Sequence, residues 1–234
     1  LEIQGTEAVL DLGCGPGMLT ALLASRVPEG RVVGIDASAS MIALAKARQI
    51  PNASFFVMDA TKIPFEDAFD LVFSNSVFHW IEDHEALLRA ILRALRQGGL
   101  LRAQFMGRSG TTLKDVARSL CQEAPYRAHF KDFRWPRVSF QREEYLEILS
   151  KVGGFKDISV WEEESQNVFE DAEHLKGWLS SMHRTIYTEP LPEDLREPFF
   201  MAFLERALKA AQKRTDGKLV LGPGVRLQVR AKKA

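Results

Sequence analysis

Cysteine is nearly missing from this sequence: 234 residues hold two, Cys14 and Cys121. One lies in a glycine-rich turn and the other in a polar helical stretch, so neither a disulfide framework nor a metal cluster is expected. The default is then a reducing compartment, the cytoplasm, and no metal. A surplus of either charge is also missing, since 31 Lys and Arg balance 31 Asp and Glu. No global field therefore draws the chain to nucleic acid or to an anionic membrane. No apolar run approaches the roughly 18 residues that a membrane span requires. The given residues hold no basic-then-apolar run, so no leader is expected from them, and they show neither an internal repeat nor a low-complexity tract. What is present is an ordinary globular composition, 46% hydrophobic and 26% charged, long enough for one large α/β domain or a core with a lid. The sequence opens almost at once on a strand, which leaves two expectations: the fold starts there, or a helix precedes it.

Short apolar runs alternate with helical periodicity over the first hundred residues. Strands are expected at 8–13, 31–35, 54–58, 69–74 and 100–106, and helices at 17–27, 38–48 and 83–95. Gln97-Gly98-Gly99 breaks the last helix. Near-continuous apolar strands separated by helices imply a parallel sheet covered on both faces, an α/β doubly wound fold. After Met106 the rhythm changes. Residues 107–137 carry Arg, Lys, His and aromatics with no clean strand. Helices follow at 141–151, 170–183 and 192–212, with strands at 156–162 and 225–231. The expected division is a sheet core at 1–106, a mainly helical lid at 107–215 with a late core strand near 156–162, and a strand in 216–234 that returns to the core.

In an open α/β sheet, ligands bind beyond the carboxyl ends of the strands. The loop after the first strand reads Gly13-Cys14-Gly15-Pro16-Gly17, three glycines that bend tightly and admit a ligand where Cβ atoms would collide. Asp36 ends the second strand, placed to accept hydrogen bonds from both hydroxyls of a ribose. A dinucleotide site shares these devices but needs glycine where this chain has Met18. Asp11, two residues before Gly13, would also sit badly beside a pyrophosphate, yet well beside a cationic amino-acid ligand. S-adenosylmethionine carries an ammonium and a sulfonium and no phosphate. A nicotinamide-dependent oxidoreductase is therefore the distant alternative. The plain alternative for Asp11 and Asp59 is a helix-capping role at a strand end, for Cys14 a small packed residue, and for Asp70 a fold-level role.

Val9-Leu-Asp-Leu-Gly-Cys-Gly-Pro-Gly17, Val33-Gly-Ile-Asp36 and Met58-Asp-Ala60 resemble the successive cofactor motifs of class I S-adenosylmethionine-dependent methyltransferases. The resemblance implies a seven-stranded sheet and a set of cofactor contacts. Gly13, Cys14, Gly15 and Gly17 would line the ligand, and Asp11 would orient the methionyl ammonium through water or backbone. Asp36 would take the ribose, with Ala37 and Met41 packing on the adenine. Asp59 would accept from the adenine amino group with the Ala60 amide nearby, and Asn75 would meet the methionyl part.

On the acceptor side, an already anionic acceptor would need no general base, and positioning could supply much of the rate. No Asn-Pro-Pro-aromatic signature follows Ser74; the chain reads Asn75-Ser-Val-Phe-His-Trp80. That stretch to His84, the Gln97-Gly-Gly-Leu100 turn and the tail from Asp216 to Arg230 resemble trans-aconitate methyltransferases, and in part the malonyl-thioester O-methyltransferases. The resemblance implies O-methylation of a small-molecule carboxylate, with a malonyl thioester or other O-, N- or C-methylation as the alternative, and an acceptor that is free or carried on an acyl carrier. Glu162-Glu-Glu-Ser-Gln-Asn167 departs from the pattern, which expects a polar stretch bearing His, Thr and Tyr there. Catalytic candidates are His79, Trp80, Arg184 and Tyr187. Arg127, His129, Arg134, Arg137 and His183 are further donors for a carboxylate, and the run 126–137 reads as an amphipathic loop or as a dock for an acidic substrate or carrier.

Overall fold

The structure, a computed structural model, describes residues 3–108, 113–134 and 138–234. Its chain forms two compact units, Leu1–Gly107 with Arg137–Glu163 and Arg226–Ala234, and Arg108–Pro136 with Glu164–Val225.

The first unit is built on strands β1 (Ala8–Leu12), β2 (Arg31–Asp36), β3 (Ala53–Val57), β4 (Phe69–Asn75) and β5 (Leu95–Met106). Their connections are α1 (Met18–Arg26), α2 (Ala39–Lys46) and α3 (His84–Ala94). β3, β2, β1, β4 and β5 lie side by side in that order, every pair parallel. All five residues of β1 are buried, as a strand covered on both faces should be. Asp83 caps α3 by accepting from the Ala86 amide at 2.8 Å, and the apolar stripe Leu87, Leu88, Ile91 and Ala94 enters the core. Gln97-Gly98-Gly99 is not a break before β5 but an irregularity within it. Phe69 faces Leu95 and Leu71 faces Leu100, so extra residues of β5 are absorbed there, with Gly98 at φ 74°.

Helix α4 (Leu113–Cys121) lies in the stretch where the sequence predicts no clean strand and a helical setting for Cys121. Ala117, Leu120 and Cys121 are buried on one side of it, a face hidden among the basic residues. Helix α5 (Arg142–Val152) was expected in the lid; instead it belongs to the first unit, where Tyr145 and Leu149 join the core with Leu88, Ile91 and Phe105. Strand β6 (Phe155–Phe169) outruns its expected span and carries the acidic stretch from Glu162 along its length. Helices α6 (Ala172–Thr188) and α7 (Glu193–Ala210) follow, separated by the Pro-rich link, then a two-residue strand β7 (Gln212–Lys213) and β8 (Leu219–Lys233). β8 lies antiparallel to β5 with Leu101 opposite Ala231 and Phe105 opposite Leu227, and β6 is next to it. The seven strands on this path match the expected number; β7 pairs β8 off the path. The second unit has its own core, in which Leu120, Leu175, Leu179, Phe199, Phe200 and Phe203 are buried. Among the described residues no helix is long and apolar enough to cross a membrane.

Candidate cofactor and acceptor site

The tips of β1, β2 and β4 carry most of the expected site. The turn after β1 is fastened to β2: the Gly13 and Cys14 amides both donate to the Ile35 carbonyl, at 2.8 and 2.9 Å. The Gly15 amide donates to Asp36 Oδ2 at 3.0 Å, while Asp36 Oδ1 accepts from the Ser38 amide at 2.8 Å. Asp36 is thus anchored through one bond per oxygen, leaving lone pairs for a ligand hydroxyl. The Pro16 carbonyl accepts from Arg48 Nε.

The three glycines are required for three different reasons. A Cβ on Gly13 would lie 2.1 Å from Val77 Cγ2, so this glycine exists to let the loop after β4 close against the turn. At Gly17 the Cβ would meet the Ala45 Cβ at 3.2 Å, a helix-packing constraint. At Gly15 nothing lies within 4 Å. With φ 53°, beside the Asp36 carboxylate, that open space is a cradle a side chain would fill. Of the three, Gly15 has open space where a side chain would stand, while Gly13 and Gly17 each have a neighbouring side chain close by.

Asp11 is buried at 2% exposure and accepts from Thr20 Oγ1 at 2.6 Å. Burial, with Asp36 nearby as a further contribution, pushes its carboxyl up to about 6 in spite of the Thr20 bond. Thr20, fully buried on α1, has no counterpart in the sequence reading; a hydroxyl on an apolar helical face was its only signal. Burial and the two nearby carboxylates raise the Cys14 thiol to about 12, and the side chain packs with Ile42, Ala45 and Phe55. Burial thus disfavours the thiolate form of this packed side chain.

Ala37 is exposed beyond β2, and Met41, on the first turn of α2, is 36% exposed. Asp59 caps the 3-10 turn Ala60–Lys62, accepting from the Thr61 amide at 2.9 Å and its hydroxyl at 2.8 Å. Those bonds, the amide first, hold its carboxyl below the usual range. Capping is thus what Asp59 does here, with its side chain half exposed. Asp70, at the opposite end of β4, accepts from the Ala8 amide at 2.9 Å and from Arg96, a fold-level role.

Asn75 ends β4 opposite Gln104. Past it, Ser76 takes φ 60°, Val77 covers Gly13, and Phe78–Trp80 forms a 3-10 turn. His79 is 4% exposed; its Nδ1 accepts from the Met106 amide at 3.4 Å and its carbonyl from the Val138 amide at 2.9 Å. Trp80, 43% exposed, lies 5.4 Å from the His79 ring.

The other candidates belong to the second unit. Arg184 pairs with Glu197 and lies 5.1 Å over the Phe200 ring. Tyr187 is buried against Phe203, ring centroids 5.2 Å apart, and His183 packs 5.6 Å from it. Arg127, whose Nε donates to the Gln122 carbonyl at 3.0 Å, is exposed, as are His129 and Arg134. Arg137 lies outside the described residues.

The geometry agrees with relatedness. Residues 9–99 match the family model of a methyltransferase domain. A trans-aconitate 2-methyltransferase of Variovorax paradoxus is 32% identical over 222 residues, covering 91% of this chain and 82% of that one. Another, from Paracidovorax citrulli, is 34% identical over 225 residues, covering 94% and 85%. YcgJ of Bacillus subtilis superposes with a TM-score of 0.62 at 18% identity, over 99% of this chain and 94% of its own. Haemonchus contortus phosphoethanolamine N-methyltransferase 2, solved with phosphomonomethylethanolamine and S-adenosylhomocysteine, gives 0.62 at 22%, over 99% and 50%. With relatives this similar along most of its length, and with this sheet order and glycine turn, the chain belongs to the S-adenosylmethionine-dependent methyltransferase family that includes the trans-aconitate 2-methyltransferases.

Proposed function

We propose that this methyltransferase esterifies a carboxylate of a small polycarboxylic acid of the trans-aconitate kind, with S-adenosylmethionine held against Gly15 and Asp36. The observation that carries the reading is the bare cradle at Gly15, lying against an anchored carboxylate at the tip of β2. Those donors and acceptors suit a cationic nucleoside amino acid. Asp36 would accept from the ribose hydroxyls, and Ala37 and Met41 would flank the adenine. The Asp59 carboxylate, with the Ala60 amide, would read the adenine edge. Gly13, Cys14 and Gly17 would shape the turn, Asp11 would orient the methionyl ammonium through water or backbone, and Asn75 would meet the methionyl part.

When bound, the cofactor supplies an electrophilic methyl group on a sulfonium. A carboxylate acceptor is already ionised at neutral pH, so no side chain has to remove a proton and orientation supplies the rate. His79, whose Nδ1 accepts from the Met106 amide at 3.4 Å, would help shape the acceptor end from the turn past β4. Trp80 would form an apolar wall beside it. We place the activity in the cytoplasm, a setting that suits two unpaired, buried thiols.

The test is labelled methyl uptake on a panel of trans-aconitate, other di- and tricarboxylates, a malonyl thioester, and amines. Base-labile label on the tricarboxylates is the expected result. Label confined to amines overturns the assignment. By calorimetry, Asp36→Ala should weaken S-adenosylhomocysteine binding by about ten- to hundredfold, the range for lost bonds to a charged acceptor.

A further inference from the structure

Beneath the turn that carries His79 and Trp80 lies a buried polar pair in an otherwise aromatic core. His84, the first residue of α3, is 3% exposed, and Tyr145 of α5 is fully buried. His84 Nε2 is 3.1 Å from the Phe78 carbonyl oxygen, and Nδ1 is 3.1 Å from the Tyr145 hydroxyl. The Phe78, Phe105, Phe140 and Tyr145 rings enclose the imidazole at centroid distances of 4.6 to 6.0 Å.

The partners fix the protons. A carbonyl oxygen has none to give, so Nε2 must carry one and donate. Burial holds the imidazole neutral, lowering its pKa to about 4. Nδ1 is therefore bare, and the Tyr145 hydroxyl donates to it. The chain Tyr145 O–H to His84 to Phe78 C=O is closed and directional. The Phe78 carbonyl also accepts from the Ile81 amide at 3.0 Å, so both of its lone pairs are engaged. The turn thus tied down follows directly on Val77, the residue whose methyl groups rest where Gly13 has no side chain. Packing alone would have been served by leucine and phenylalanine at these two positions. Two polar groups buried here instead bring direction, which apolar contacts lack.

We propose that His84 and Tyr145 are positioning residues: a neutral Nε2–H imidazole, oriented by the tyrosine hydroxyl, sets the Phe78–Trp80 turn and thereby the placement of the acceptor against the cofactor loop. The inference rests on the β4 tip being the acceptor side. A purely structural pair would lower stability and leave the kinetic split untouched.

The experiment compares wild type with His84→Leu, His84→Gln and Tyr145→Phe. His84→Leu should lower kcat/KM for the acceptor about tenfold or more, chiefly through KM, with the Kd for S-adenosylhomocysteine within about threefold of wild type. His84→Gln, whose amide N–H can still reach the Phe78 carbonyl, should recover most of that loss. In the protein without ligands, 15N NMR should show His84 protonated at Nε2 only, with its Nδ1 resonance displaced in Tyr145→Phe. The proposal is overturned by an Nδ1–H tautomer, by Leu and Gln variants of equal activity, or by a cofactor Kd that weakens in step with kcat/KM. Should His84→Leu not fold, the NMR and the Gln and Phe variants decide alone. The NMR result needs no substrate. A wild type inactive on every carboxylate therefore refutes the functional reading, while a wrong tautomer refutes this one.

Discussion

Around Gly15 the site is made mostly of backbone, and at the tip of β4 it is made of rings. The first has two amides, one carboxylate and a glycine with open space beside it. The second has Phe78, His79 and Trp80 on a turn seated over His84, Phe105 and Tyr145. Recognition of a cofactor common to a whole family can rest on a fixed backbone shape, because the ligand does not vary. An acceptor end has to be adjusted to one substrate, and packed side chains are what substitution can adjust. Damage should differ accordingly: ligand binding should fail first at Gly15, and the fold or the acceptor step first around β4.

The sharpest way to break that comparison lies within the glycine turn. Gly13→Ala puts a methyl group into Val77 at φ 75°, and overpacking plus backbone strain should cost about 3 kcal/mol of stability or more, read as a lowered urea midpoint. Gly15→Ala should cost only about 1 kcal/mol for its positive φ, yet abolish S-adenosylhomocysteine binding by calorimetry. Equal stability losses in the two variants would erase the distinction.

A pH series sharpens it next. In the fold Asp11 is raised from 3.8 to about 6, so it keeps a proton that the unfolded chain has released, and stability falls as pH rises through that window. His84 is lowered from 6.5 to about 4, so the unfolded chain binds a proton that the fold excludes, and stability rises with pH across 4 to 6.5. Each contributes on the order of 3 kcal/mol over its window, with opposite sign. Relative to wild type, Asp11→Asn should tilt the urea midpoint upward with pH between 4 and 6, and His84→Gln should tilt it downward. Parallel profiles would contradict both assignments. The smallest expected effect is none at all: with Cys14 and Cys121 both at about 12, iodoacetamide at pH 8 should leave the folded protein unlabelled.

How much of this is legible in the sequence follows the range of each interaction. The parallel strands were readable because a strand covered on both faces is apolar throughout, as in Val9-Leu10 and Val32-Val33. The cofactor turn was readable because its glycines and Asp36 fall within one β-α-β unit. The second half of β6 and the first half of β8 fall outside the predicted strands, because these stretches mix Glu, Ser, Gln, Gly and Pro with apolar residues. Only the helical setting of Cys121 points to α4, whose apolar side is interleaved with charged residues. The reason for Gly13 was out of reach, because the side chain that demands it, Val77, stands 64 positions later. Likewise His84 looks like one more polar residue after a helix cap until Tyr145, 61 positions on, is folded against it.

The nesting of Val77 on Gly13 has a consequence for how the two halves of the reaction communicate. With methyl groups occupying the space a Cβ would fill, neither loop can slide without displacing the other. A ligand that moved the glycine turn would therefore press on Val77 and on the Phe78–Trp80 turn that follows it. Linkage would return that influence by the same factor. One valine would then carry whatever the two ends of the site have to say to each other.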